Sequence, residues 1–432
     1  MTNRLRVLLA PLRAANFRLL WLSMFISLIG DGIYTIAIAW KTYDLANDPS
    51  ALALIGVVYT GPQVIFSLVG GVASDRGNRK KLLIISDLAR FLIISSIGIA
   101  AALDVLTLTS LSILVVLYGI ADSFYRPAFG AMIPMVVQDE LLMQANSLNQ
   151  IAEPIALRFL GPALGGVLVA AGGASFAFLA DGVTFVASAI LVSLLSIPSS
   201  VKTRAARGLR AAATALMVDS KEALGFIRHH AWLWGSMLAA TLSLLLVFGP
   251  FWVLVPFLIR NNMSTGAEGF GAVMAVGGIG AIVAAVFASG NLPKRHVTTM
   301  YVSWAIALGS LVIFGLAQTL WQMMIASLIL HAFLAIGTIV WLTVQQRVVA
   351  GSMLGRVSGL DWVATVSLIP LSYSLTAPLS EALGAETTLV LAGVGGGIIM
   401  LAFLLVPGIS ALQDRELDYL PLPGQSSEAA VP

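Results

Sequence analysis

The sequence predicts an all-α integral membrane protein with twelve transmembrane helices in two six-helix repeats. Three observations predict it. Of the 432 residues, 58% are hydrophobic and 10% charged. A soluble domain carries roughly 25% charged residues, so lipid must cover most of this surface. The apolar residues also fall in continuous runs of the ~20 residues that a helix needs to cross ~30 Å of hydrocarbon. Continuous rather than alternating runs select helices over barrel strands. Finally, loop segments of the first half recur in the second at a nearly constant offset.

In chain order, residues 1–16 form a tail with Arg4, Arg6 and Arg13, and Arg18 follows just inside the first span. No small-residue cleavage site follows, so the tail precedes an uncleaved span and lies in the cytoplasm. The first half, 17–197, holds spans at 17–40, 51–73, 82–103, 106–125, 147–170 and 175–197. The polar stretch 198–231 carries Lys202, Arg204, Arg207, Arg210 and Lys221 and reads as a cytoplasmic interdomain linker, amphipathic and helical over 211–226. The second half, 232–408, holds spans at 232–258, 270–288, 297–316, 321–344, 357–379 and 387–406, and 409–432 is a cytoplasmic tail. With the N-terminus inside, the inner segments hold 19 Lys and Arg and the outer loops only Lys41 and Arg260, an asymmetry that sets the orientation. Residues 73–81 match 288–296 at an offset of 215, and 136–148 match 348–360 at 212. Both pairs lie in equivalent loops, which implies a parallel repeat about an axis along the membrane normal.

Several chemistries are excluded. Without cysteine there is no disulfide, thiolate metal site or cysteine nucleophile. His229, His230, His296 and His331 form no H-E-x-x-H, and no phosphate-binding P-loop sequence exists. We therefore expect no metal and no cofactor; an ion gradient would supply the energy. No basic stripe interleaved with aromatics suggests nucleic acid.

The loop after span 2 reads Gly71-Val-Ala-Ser-Asp75-Arg76-Gly77-Asn78-Arg79-Lys80-Lys81. It resembles the G-x-x-x-D-R-x-G-R-K signature of the major facilitator superfamily; Gly71, Asp75, Arg76, Arg79 and Lys80 match, and Asn78 replaces the second glycine. The resemblance implies a gating latch in which Asp75 faces the start of span 11, here Gly355-Arg356. Gly161-Pro162-Ala163-Leu164-Gly165-Gly166 in span 5 resembles the core of the antiporter motif of drug exporters, although Leu157 stands where that motif has its preceding glycine. Pro127 to Pro134 with Ala145 to Leu148, Ala177 to Asp181, and Gln346-Arg347 with Gly355 to Val357 are similar to the macrolide-efflux and enterobactin-exporter branch. The resemblance covers about residues 17–406. It implies alternating access by two rocking halves, proton-coupled antiport and export of a lipophilic small molecule from a bacterial plasma membrane, by a monomer with both termini cytoplasmic.

A charge at mid-membrane costs at least roughly 2.5–3.5 kcal/mol, so charged residues inside spans mark interior or water-lined positions. Asp31 is the only acid in span 1 and has no cation near it in sequence, which makes it the first proton-coupling candidate. Glu153, Asp122 and His331 are the others. Asp87/Arg90 and Asp122/Arg126 are spaced to pair along their helices; Arg158 is a candidate substrate or gating charge and Asp181 a packing or gating residue. By family analogy, spans 1, 4, 7 and 10 line the central cavity. That proposes Phe25, Tyr34, Tyr118, Phe248, Phe251, Trp252 and Trp341 as its lining, suited to a lipophilic, even cationic, substrate, with Arg126 and Arg158 as further cavity candidates. Rival readings are a siderophore exporter, a lysophospholipid flippase and, remotely, a membrane lipid-modifying enzyme. That last class needs clustered histidines or a Ser/His site at one membrane face, and the histidines here are scattered.

Overall fold

The computed structural model describes residues 9–196, 221–288, 293–409 and 413, and all the regular elements among them are helical. The first half contains α1 (Ala15–Leu45), α2 (Pro49–Arg76), α3 (Arg79–Ala102) and α4 (Leu108–Val136). A helical run then passes from Leu142–Glu153 through the π-helical Pro154–Leu160 into Gly161–Ser193. Gly173 breaks this run with φ 75°, a left-handed backbone that only glycine adopts freely. It separates α5 (142–172) from α6 (174–193). Linker residues 211–220 lie outside the described residues, while 221–229 form a short helix.

The second half contains α7 (Ala231–Asn262), α8 (Ala267–Ala288), α9 (His296–Leu316), α10 (Leu320–Val348), α11 (351–383) and α12 (Ala385–Leu404). Eleven of these runs are long and apolar enough to cross a membrane, with Gln144–Ser193 taken as one; its break at Gly173 makes twelve. The expected boundaries hold to within a few residues at most ends. Two spans are not continuous: α9 breaks at Ser310 and α11 at Leu368.

Local chemistry sets the helix starts. Asp48 caps α2 by accepting from Ser50 N at 2.7 Å, and Pro49 occupies the first turn, where its missing N–H costs nothing. Asn78 accepts from Lys81 N at 3.0 Å and starts α3. Thr107 with Ser110 and Thr319 with Gln322 form capping boxes at the equivalent starts of α4 and α10.

Small residues permit the close packing. A Cβ added to Gly161 of α5 would lie 2.6 Å from Gly32 Cα of α1. One added to Gly166 would lie 3.0 Å from Glu268 Cα and 3.2 Å from Gly271 Cα of α8. The Gly-Pro motif thus joins α5 to α1 within its half and to α8 across the interface, as small residues do between membrane helices.

The polar contacts between the halves, among the described residues, all lie at the end of the bundle away from the termini. Tyr43 donates to Val253 O at 2.6 Å, Arg260 pairs with Asp44 at 2.8 Å, and Asn47 and Asn261 exchange amide hydrogen bonds of 2.7 and 3.3 Å. Arg260 also lies over the Trp40 ring at 5.2 Å. The far end is closed. The cavity between the halves extends instead toward the terminus-bearing end, reaching Ser67, Pro127 and Gly359.

Candidate functional site

The central cavity has a volume of about 790 Å³ and is lined by both halves. The first half supplies Tyr34, Tyr59, Gln63, Asp122, Arg126 and Arg158; the second supplies Phe248, Trp252, Phe270, Trp362 and Tyr373. Five of the proposed lining residues therefore do line it: Tyr34, Arg126, Arg158, Phe248 and Trp252. The other four lie elsewhere. Phe25 stacks on Trp21 near the start of α1. Tyr118 is buried and donates to Asp31 at 3.1 Å. Phe251 packs on Phe314 and His331 inside the second half. Trp341 donates from its indole to Asp361 at 3.0 Å and packs on Trp232 and Trp304. Tyr59 and Gln63 of α2 and Trp362 and Tyr373 of α11 are not among the sequence candidates, whose aromatics come from spans 1, 4, 7 and 10 alone. Both aromatics and polar groups on those two spans were there as a signal.

Two guanidiniums face the cavity. Arg158 pairs with Glu153 at 3.3 Å, five residues earlier. An α-helix would turn those positions apart, but the π-helical stretch between them closes i→i+5 bonds and stacks them on one face. Arg126 makes no ion pair within 4 Å among the described residues. Asp122 turns away from it, correcting the pairing expected from their spacing.

Asp122 turns to Arg90. Arg90 is fully buried behind the cavity wall and is the hub of the first half: it reaches Asp87 at 2.5 Å, Asp122 at 3.2 Å and Asp31 at 3.9 Å. The rings of Tyr125 and Phe185 lie 4.2 and 4.3 Å from the guanidinium carbon, a cation–π sandwich that helps hold a charge away from water. Each acid has further donors. Ser188 donates to Asp87 at 2.7 Å, Gln63 and Tyr59 donate to Asp122 at 2.7 and 3.3 Å, and Tyr118 donates to Asp31. Asp122 is therefore the one acid that both lines the cavity and binds Arg90. The second half has no comparable charge cluster among its described residues. His331 is buried between α8 and α10, its Nδ1 2.9 Å from Ser327 O, and does not line the cavity.

In the loop motif, Arg79 donates to Ser74 O and Ala131 O at 3.2 and 3.3 Å, and Lys80 donates to Ser193 O and Leu195 O at the end of α6. These two basic residues tie α3 to α4 and α6. Gly71 faces open space. The side chains of Asp75 and Arg76 lie outside the described residues. Arg356 pairs with Glu222 of the 221–229 helix at 2.5 Å.

The transmembrane secretion effector family model matches residues 7–413. The enterobactin exporter of Citrobacter koseri is 30% identical over 405 residues, covering 90% of this chain and 91% of its own. The enterobactin exporter of Escherichia coli O139:H28 is 26% identical over 408 residues, with the same coverage of 90% and 91%. Among solved structures, an inward-facing bacterial homologue of the iron transporter ferroportin superposes with TM-score 0.67 at 15% identity, covering 90% of this chain and 98% of that one. A bacterial homologue of the lysosomal transporter Spinster superposes with TM-score 0.63 at 14% identity, covering 93% and 96%. Two six-helix halves around a shared cavity and a family match over nearly the full length lead to one conclusion: the chain belongs to the transmembrane secretion effector family of the major facilitator superfamily of membrane transporters.

Proposed function

We propose that this transporter is a proton-coupled exporter that moves an aromatic small molecule out of a bacterial cell across the plasma membrane, with both termini cytoplasmic. The observation that carries this reading is the double role of Asp122, which faces the cavity and contacts Arg90 beside Asp31. Cargo in the cavity and protons in the buried cluster then act on one side chain, and a shared residue is the minimum that coupling requires. With this orientation the cavity opens to the cytoplasm and the closed end faces outward, the state in which an exporter loads.

Asp31→Asn mimics the protonated carboxyl without its titration. In liposomes, this variant should lose uphill transport driven by a proton gradient and keep downhill flux. Gradient dependence like that of wild type would move coupling to Asp122, Glu153 or His331. A wild type that ignored the gradient would end the antiport reading.

The cavity favours acidic aromatic cargo over cationic drugs. Its aromatic rings suit a flat apolar body, and Arg126, unpaired, suits an acidic oxygen. The relatives named enterobactin exporters agree with a siderophore among the possible cargoes, and enterobactin itself is the first compound to assay.

A further inference from the structure

Asp181 is the buried acid that the Arg90 hub does not hold. It is 0% exposed on α6 and makes no ion pair within 4 Å among the described residues. Its Oδ1 has only the Thr184 hydroxyl at 3.4 Å, and no described donor reaches its Oδ2. Asp31, Asp87 and Asp122 each contact Arg90 or have close donors; Asp181 has neither. An ionised carboxylate so placed would be uncompensated, which interiors rarely tolerate.

α1 is shaped around this acid. A Cβ added to Gly30 would overlap Asp181 Oδ1 and Thr184 Oγ1. The missing side chain lets the Asp181 carboxyl lie against the backbone of α1 one residue before Asp31. The charged and titratable groups facing it are Asp31 and Tyr34 on α1, Arg90 on α3, and Tyr118 and Asp122 on α4. Three carboxyls thus contact one guanidinium, and a fourth, that of Asp181, lies beside them without reaching it. If all were ionised, the cluster would be strongly negative inside the hydrocarbon core, and each uncompensated charge there costs at least roughly 2.5–3.5 kcal/mol. Neighbouring carboxyls in such a site ionise in sequence rather than together.

We propose that Asp181 is a second proton-binding site of the first half, titrating as a pair with Asp31, so that the carrier binds two exchangeable protons in this cluster. The inference rests on the proton-coupled reading and adds a count to it. When Asp31 is ionised, Asp181 holds its proton. When Asp31 takes a proton as well, the pair holds two; as access changes it gives them up to water one after the other, the second less readily because the first carboxylate formed repels another.

Infrared difference spectroscopy of the purified carrier in liposomes, titrated from about pH 5 to about pH 9 across the ordinary and raised carboxyl range, counts titrating carboxyls without any cargo. Wild type should show a C=O band that Asp181→Asn removes and Asp31→Asn shifts in midpoint. Asp181→Glu, which keeps a carboxyl should Asn misfold, should move that band without abolishing it. Gly30→Ala should shift its midpoint. An Asp181 band that stays constant over the whole range would mean a permanently protonated structural residue and would overturn the proposal, as would a band indifferent to Asp31→Asn. Loss of gradient-driven transport in wild type with a titrating Asp181 band would instead strike the exporter reading and leave this pair standing.

Discussion

Arg126 stands in the cavity with no acid within 4 Å among the described residues, whereas Arg90, thirty-six residues earlier, has three. The two guanidiniums therefore have different work. Arg90 is structural charge: removing it would strand buried carboxylates, a change that typically costs 3–5 kcal/mol. On the proposed reading, Arg126 is the guanidinium that meets cargo. Arg126→Ala should raise the KM for an acidic aromatic substrate about tenfold, worth ~1.4 kcal/mol, with little change in kcat, and Arg126→Lys should recover part of it. Transport kinetics in vesicles with acidic and neutral aromatic compounds would check this; an equal loss for both would remove Arg126 from recognition. The sequence made Asp31, Asp87, Arg90, Asp122 and Arg126 visible as charges inside spans. It could not show which acid each arginine meets. Spacings of three or four residues say only that two side chains on a helix could touch, and the choice falls to neighbouring helices, here α1 and α3.

The helices themselves were legible because lipid imposes a length and leaves continuous apolar runs. The breaks were less so. Gly173 sits between two predicted spans where a turn was due, but Ser310 and Leu368 interrupt apolar runs. Their local signals, Gly309 and Pro370, are the kind that membrane helices often absorb. The π-helical Pro154–Leu160 was not legible from Pro154 alone, although it places Arg158 beside Glu153. The Gly-Pro motif was legible, and the structure adds which helices it joins. Gly166 touches the backbone of α8 across the interface, so Gly166→Val should destabilise by about 1–3 kcal/mol through overpacking and lower the thermal midpoint in detergent. Leu164 is exposed on the same helix, and Leu164→Val should leave the midpoint unchanged. Equal effects at both positions would mean that the motif's packing carries no special weight.

Across the whole molecule the repeat is exact in neither length nor charge. The buried ionic cluster belongs to the first half, while the second answers with His331 and Asp361 in separate settings. Closure at the far end rests on α1 against α7. A disulfide between Asn47→Cys and Asn261→Cys, in a chain with no other cysteine, should hold that end shut and stop transport, and an impermeant reductant added outside the cell should restore it. Restoration only after permeabilisation would reverse the proposed orientation. Asn47 and Asn261 lie 214 residues apart, between the offsets of 215 and 212 at which the loops repeat. Near-equivalent residues that exchange hydrogen bonds sit where the internal two-fold passes, as in a self-complementary contact between identical subunits. Such a contact has no handedness in its chemistry. Asn47→Asp with Asn261→Lys should work about as well as Asn47→Lys with Asn261→Asp, and Asn47→Asp with Asn261→Asp should spring the end open; an ordered preference would place the axis elsewhere.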